Sequence, residues 1–267
     1  MKIPVFQIDA FTDQPFSGNP AAVCPLDEWL RDDEMQAIAA EMNLSETAFF
    51  VPKENVDGEY GLRWFTPTVE VDLCGHATLA SGHVVLLHLN RNLSQVTFHT
   101  RSGELGVQFK DGLLELDFPT NPPTKLDDPT EIQAVREALG SAPQEILHAN
   151  TTMAVFESES EVAALQPDFS AVANLNEPWL LATAPADDAE YDFVSRFFVP
   201  TAGINEDPAT GSTHTILMPY WAAQFGKNEL VGRQISKRGG TMFCRLVSNR
   251  VKIAGHIVEV MQGELAL

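Results

Sequence analysis

The spacing of apolar side chains divides the chain into many short strands, a few one-faced helices and two helices that are apolar on every side. Residues 2–11 alternate and are rich in branched and aromatic side chains, which predicts a first strand, and residues 21–24 predict a second after a Ser17-Gly18-Asn19-Pro20 turn. Met35, Ile38, Ala39 and Met42 keep helical spacing, so a helix capped by Asp32 or Asp33 is expected to run to about Asn43. Further strands are expected at 48–51, 60–65, 96–100, 105–109 and 113–118, the last two joined by an Asp111-Gly112 hairpin turn. Residues 71–89 differ: a tight turn, Cys74-Gly75-His76, opens a run whose apolar positions keep to no single stripe, which predicts a helix buried on nearly all sides.

The same order starts again after Asn121-Pro122-Pro123-Thr124. Asp128-Pro129-Thr130-Glu131 combines an N-cap, a proline at the first helical position and a carboxylate at the third, and Gly140 ends that helix. Strands at 152–156 and 179–183 flank weaker helices within 161–175. A turn of small residues, Asp207-Pro208-Ala209-Thr210-Gly211-Ser212, then leads into a second all-apolar helix at 216–225, which Pro219 should bend. Alternating strands follow through Cys244, 251–254 and 257–261. Identity between the halves is slight, so the repeat rests on the order of elements; it predicts domains at 1–120 and 121–267, with the last strand, about 257–267, returning to the first.

Composition changes this picture little. With 17 Lys+Arg against 37 Asp+Glu the formal charge is −20, which repels nucleic acid and anionic membranes, so neither is expected as a partner. Three separated cysteines give no disulfide framework and no CxxC pair. The start of the chain lacks a continuous apolar segment and no run reaches membrane-spanning length, so a cytoplasmic protein is expected.

The chemistry gathers at the two turns. A helix opening at either turn would aim free N–H groups and a positive dipole end at an anion, suiting a carboxylate or phosphate. If the turns faced one another across a cleft, Glu46, Cys74, His76, Asp207 and Ser212 would surround it, a set suited to proton transfer. On the residues alone Cys74 is either a small buried hydrophobe or a reactive thiol, and Glu46 either a solvated carboxylate or an acid/base. No nucleotide-binding glycine pattern, metalloprotease helix or nucleophile elbow occurs, and His83 and His88, five apart on a helix, are expected to point apart and hold no metal.

Asp9-Ala10-Phe11-Thr12, Gly18-Asn19-Pro20-Ala21-Ala22-Val23, Asn43-Leu44-Ser45-Glu46-Thr47-Ala48-Phe49, Trp64-Phe65-Thr66-Pro67, Cys74-Gly75-His76-Ala77-Thr78 and Glu206-Asp207-Pro208-Ala209-Thr210-Gly211-Ser212, in that order, resemble the phenazine-biosynthesis PhzF-like family across nearly the whole chain. The resemblance implies an α+β, diaminopimelate epimerase-like fold of two similar domains, each a curved mixed sheet or barrel wrapped around a central helix. It also implies a homodimer and a cofactor-independent isomerase that moves a proton between carbons of a small carboxylate, as the best-known member does on a cyclic amino acid. Glu46 would be the proton shuttle, with His76 and Asp207 as catalytic partners; Ser45, Cys74, Gly75, Gly211 and Ser212 would contact substrate, with no metal and no cofactor. Two-cysteine epimerases of this fold place one thiol in each half, and here the second turn has none. A one-thiol epimerase using Cys74 and a non-catalytic binding protein are the alternatives, with a Cys-His hydrolase behind them.

Overall fold

The computed structural model describes residues 2–54 and 56–267. In chain order the elements are β1 (Lys2–Ala10), β2 (Asn19–Pro25), α1 (Asp32–Met42), β3 (Glu46–Pro52), β4 (Glu59–Phe65), β5 (Glu70–Val71) and α2 (Gly75–Val84), which continues as a π turn (Val85–Leu89), then β6 (Gln95–Thr100), β7 (Gly103–Lys110) and β8 (Leu113–Pro119). There follow β9 (Thr124–Lys125), α3 (Pro129–Leu139), β10 (Glu145–His148), β11 (Thr152–Val155), α4 (Glu159–Ala164), α5 (Phe169–Ala173), β12 (Leu180–Pro185), β13 (Phe193–Phe198), β14 (Glu206–Asp207), α6 (His214–Phe225), β15 (Glu229–Gln234), β16 (Gly240–Val247), β17 (Arg250–Gly255) and β18 (Ile257–Ala266). The chain divides into two compact units, Met1–Phe118 with Lys252–Leu267, and Pro119–Val251.

In the first unit β18 and β1 pair antiparallel, as do β1 and β2; β2 runs parallel to β3, β3 antiparallel to β4, β4 parallel to β6, and β6, β7 and β8 form a meander. One helix, α2, packs against β1, β2, β3, β6 and β7, so the sheet wraps around it. That explains why α2 has no polar stripe: a helix enclosed on all sides excludes water everywhere. Packing is close enough that a Cβ on Gly82 would lie 2.5 Å from Val107 Cγ1. The outer face of β3 and β4 is covered by α1, whose Met35, Ile38 and Ala39 meet Phe49 and Phe65. Asp32 and Asp33 sit in the first turn of α1 and do not cap it; Arg31 is the N-cap residue, and its backbone N–H donates to the Glu34 carboxylate at 3.1 Å.

The second unit repeats the pairing sequence. β10 and β11 are antiparallel, β11 and β12 parallel, β12 and β13 antiparallel, β13 and β15 parallel, and β15 and β16 antiparallel. Each unit also has a two-residue strand hung antiparallel on the fourth of its series, β5 on β4 and β14 on β13, immediately before the apolar helix. α6 packs on β15 and β16, while α3, α4 and α5 build a core with Phe156, Leu180 and Phe198. Pro219 removes the donor that would reach the Thr215 carbonyl, and the Asn121 N–H takes that place at 2.9 Å. The apolar helix therefore carries its proline with no orphaned carbonyl there. Among the described residues no helix is long and apolar enough to cross a membrane.

Candidate active site

The two-residue strand β5 and the Asp72-Leu73 link deliver the chain to Cys74, which is extended (φ −145°, ψ 113°) and precedes the first helical residue, Gly75. The Thr78 hydroxyl and N–H both turn back to the Cys74 carbonyl, at 2.5 and 3.3 Å, and fix the turn. Helix geometry leaves first-turn N–H groups without partners in the helix, here beside His76. Glu46 is the first residue of β3, paired with Ala21 on β2, and not a loop residue before the strand.

These elements bring Glu46, Cys74 and His76 together. The imidazole is bracketed, with Cys74 Sγ 3.5 Å from Nδ1 and Glu46 Oε2 3.2 Å from Nε2. The Glu46–His76 contact is off the line a hydrogen bond requires, so Oε2 and Nε2 are buried and close without a hydrogen-bond partner among the described residues. Burial opposes a charged ring at His76, but the sulfur and the carboxylate on its two nitrogens outweigh it and raise its pKa well above the ordinary range. The Cys74 thiol is pushed up to about 11, first by burial and then by the Glu46 charge. Ser45, half-buried, precedes Glu46 in the chain.

The remaining predicted residues lie in the second unit. Asp207 is on β14, and its carboxylate accepts from the Thr210 hydroxyl. Gln234, fully buried on β15, builds this turn: its Oε1 accepts from Thr210 N–H at 2.8 Å, and its Nε2 donates to the Asp207 carbonyl at 2.6 Å. Gly211 is buried, and the Ser212 carbonyl accepts from the Thr215 N–H and hydroxyl at 3.0 and 2.7 Å, holding the entry to α6. His214, in the first turn, donates from Nδ1 to the Thr210 carbonyl at 3.0 Å.

Sequence reasoning passed over Gln234 and His214, and it also missed a repeated motif. Arg63-Trp64-Phe65-Thr66-Pro67-Thr68 returns as Arg196-Phe197-Phe198-Val199-Pro200-Thr201. Arg63 grips Glu70 of β5 through Nε and Nη2 at 2.7 and 2.8 Å; Arg196 grips Glu206 of β14 in the same way at 2.8 and 2.9 Å. Each guanidinium also lies over the phenylalanine two residues on, at 5.2 Å from Phe65 and 4.9 Å from Phe198. Bidentate pairing fixes direction as well as distance, so each Arg–Glu pair orients the strand that feeds its turn. The pairs set the register of the halves: Glu70 matches Glu206, Cys74 matches Thr210, Gly75 matches Gly211 and His76 matches Ser212.

Two strand series of one pairing order, each with a small-residue turn opening its apolar helix, define an α+β protein of the epimerase-like type. The backbone agrees at a TM-score of 0.61 with a hydroxyproline epimerase from Agrobacterium vitis, only 9% identical, over 100% of this chain and 93% of that one, a likeness of fold alone. Residues 8–263 match the family described as phenazine biosynthesis-like protein, PhzC-PhzF, and the chain belongs to it. A crystal structure of a PhzF family protein from Enterococcus faecalis is 41% identical with a TM-score of 0.93, covering 100% of both chains. A Pseudomonas aeruginosa protein named as an uncharacterized isomerase is 48% identical over 100% of each. The chain is accordingly an enzyme of the isomerase class.

Proposed function

We propose that this isomerase moves a proton between carbons of a small, cyclic or amino-acid-like carboxylate, without a cofactor, with Glu46 as general acid/base. The observation that carries the reading is the Glu46 Oε2 atom, buried without an aligned hydrogen bond and 3.2 Å from an imidazole that is readily charged. The carboxylate takes a proton from a substrate C–H bond, the electron pair moves into the adjoining conjugated system, and the protonated Glu46 returns the proton to another carbon. The His76 imidazolium offsets the negative charge that builds on the substrate, and the first-turn N–H groups at Gly75 suit a substrate carboxylate. Asp207, Gly211 and Ser212 are assigned by the same reading to hold substrate.

The alternative that makes Cys74 the base fits less well, because a thiol held up to about 11 supplies little thiolate near neutrality. The test follows deuterium from heavy water into a panel of small cyclic and amino carboxylic acids by proton NMR. Exchange catalysed by the natural protein should vanish in Glu46→Gln and persist in Cys74→Ala. Near-normal exchange in Glu46→Gln would refute the assignment, and loss in Cys74→Ala alone would select the thiol.

A further inference from the structure

Away from that turn, α2 ends in a π turn: the Asn90 N–H donates to the Val85 carbonyl, five residues back, at 2.8 Å. In a regular α-helix side chains five apart are separated by about 140° around the axis, which is why the sequence predicts that His83 and His88 diverge. The π turn widens the helix and overturns that expectation, leaving the two ring centroids 5.8 Å apart.

A second irregularity meets them. Along the β1–β18 ladder Ile8 faces Glu259 but Gln7 faces Met261, so Val260 is an extra residue and β18 is bulged beside Glu259. Bulges re-aim neighbouring side chains. Glu259 Oε2 lies 2.6 Å from His88 Nε2 and 3.6 Å from His83 Nε2, and one ligand atom from each of the three side chains lies within 4.8 Å of the others.

We propose that His83, His88 and Glu259 form a binding site for a divalent transition-metal ion, with zinc as the type. Two imidazoles and one carboxylate are ligands that zinc accepts, and three protein ligands leave a position for water. Tetrahedral bonds of about 2.1 Å put neighbouring ligand atoms about 3.4 Å apart. The His83–Glu259 separation of 3.6 Å already matches, and the shorter His88 contact opens by less than an ångström as the ion replaces the shared proton. The side chains are 11%, 25% and 28% exposed for His83, His88 and Glu259, which is buried enough to hold their directions and open enough for entry. Bound there, the ion would staple the last strand to the central helix of its unit.

The test uses the full chain without a histidine tag, stripped with chelator and dialysed against zinc, with cobalt substitution to give visible absorption. The natural protein should bind a single zinc in the low micromolar range or tighter. Removing a ligand in His88→Ala or Glu259→Gln should weaken binding by about 100-fold and abolish the cobalt bands. Glu259 is at the surface, so Glu259→Gln reads the site even where a histidine variant folds poorly. Cys74→Ser should bind as the natural protein does, which separates this site from the Glu46-Cys74-His76 cluster. Absence of stoichiometric binding, undiminished zinc in Glu259→Gln, or loss of zinc in Cys74→Ser would each overturn the proposal.

Discussion

His214 should make the protein sensitive to mild acid, and the size of the effect follows from its surroundings. The ring is fully buried in the first turn of α6, donates from Nδ1 to Thr210, and keeps Nε2 without a hydrogen-bond partner among the described residues. That nitrogen lies against Gly232, where a Cβ would come within 2.8 Å of it, and the Phe193 ring centroid is 5.7 Å from its own. A second proton on Nε2 would find no acceptor among the described residues. Burial therefore holds the ring down to about 4 from 6.5, only partly opposed by the Thr210 and Gly211 backbone. Between those values the unfolded chain accepts a proton that the folded chain refuses, so stability falls as pH falls. Linkage between about pH 7 and about pH 4.5 gives a loss of about 2.4 kcal/mol from this one group. Other groups titrate over that range, so the measurement is a double difference against His214→Asn, which keeps a donor for Thr210 but cannot be charged. Urea unfolding at both pH values, by circular dichroism and by tryptophan fluorescence with coincident transitions, gives the four free energies. The natural protein should lose about 2 kcal/mol more than the variant on acidification. A gap between the two proteins that does not change with pH would refute the reasoning, as would an NMR titration of the His214 ring near 6.5.

Two further tests probe the first unit. Gly82→Ala puts a methyl group 2.5 Å from Val107 Cγ1 inside the wrapped sheet, and overpacking of this kind should cost about 1–3 kcal/mol in urea unfolding; an unchanged midpoint would mean that the sheet yields where it is taken to be closed. His76 should show the opposite pH sign to His214: its raised pKa adds stability that is present below 6.5 and is lost as pH climbs through the folded value. Nitrogen-15 NMR should find its ring titrating above the ordinary imidazole range and lower in Glu46→Gln than in the natural protein, while an ordinary titration in the natural protein would refute the assignment.

The parts legible in the sequence are those whose cause is local. Helix α3 starts at Pro129 because the Asp128 carboxylate accepts from Thr130 N–H at 2.8 Å, and it stops at Gly140 in the left-handed region (φ 63°). The Asp111-Gly112 turn has φ of 53° and 83°, as a two-residue hairpin demands. Strand β13 was invisible because Phe193, Val194 and Ser195 are all buried, and a strand enclosed on both faces has no alternation to read. The π turn and the Val260 bulge could not be foreseen either, since each is set by what packs around it and not by its own residues.

The site divides along the same line. His76 and Cys74 were conspicuous as an imidazole and a thiol in one turn, but their protonation depends on Glu46, which reaches them through the parallel pairing of β2 and β3. The repeat bears on the proposal, in which the thiol is the lesser partner. With Arg63–Glu70 and Arg196–Glu206 as fixed points, Cys74 and Thr210 occupy the same place in their halves, and so do His76 and Ser212. A mechanism with one thiol per half needs sulfur at both equivalent positions. Here the second is a buried hydroxyl committed to Asp207, with its own N–H held by Gln234 at 2.8 Å. That equivalence supports the proposed proton transfer through a group outside the repeated turn, and Glu46 on β3 is the carboxylate beside the first of them.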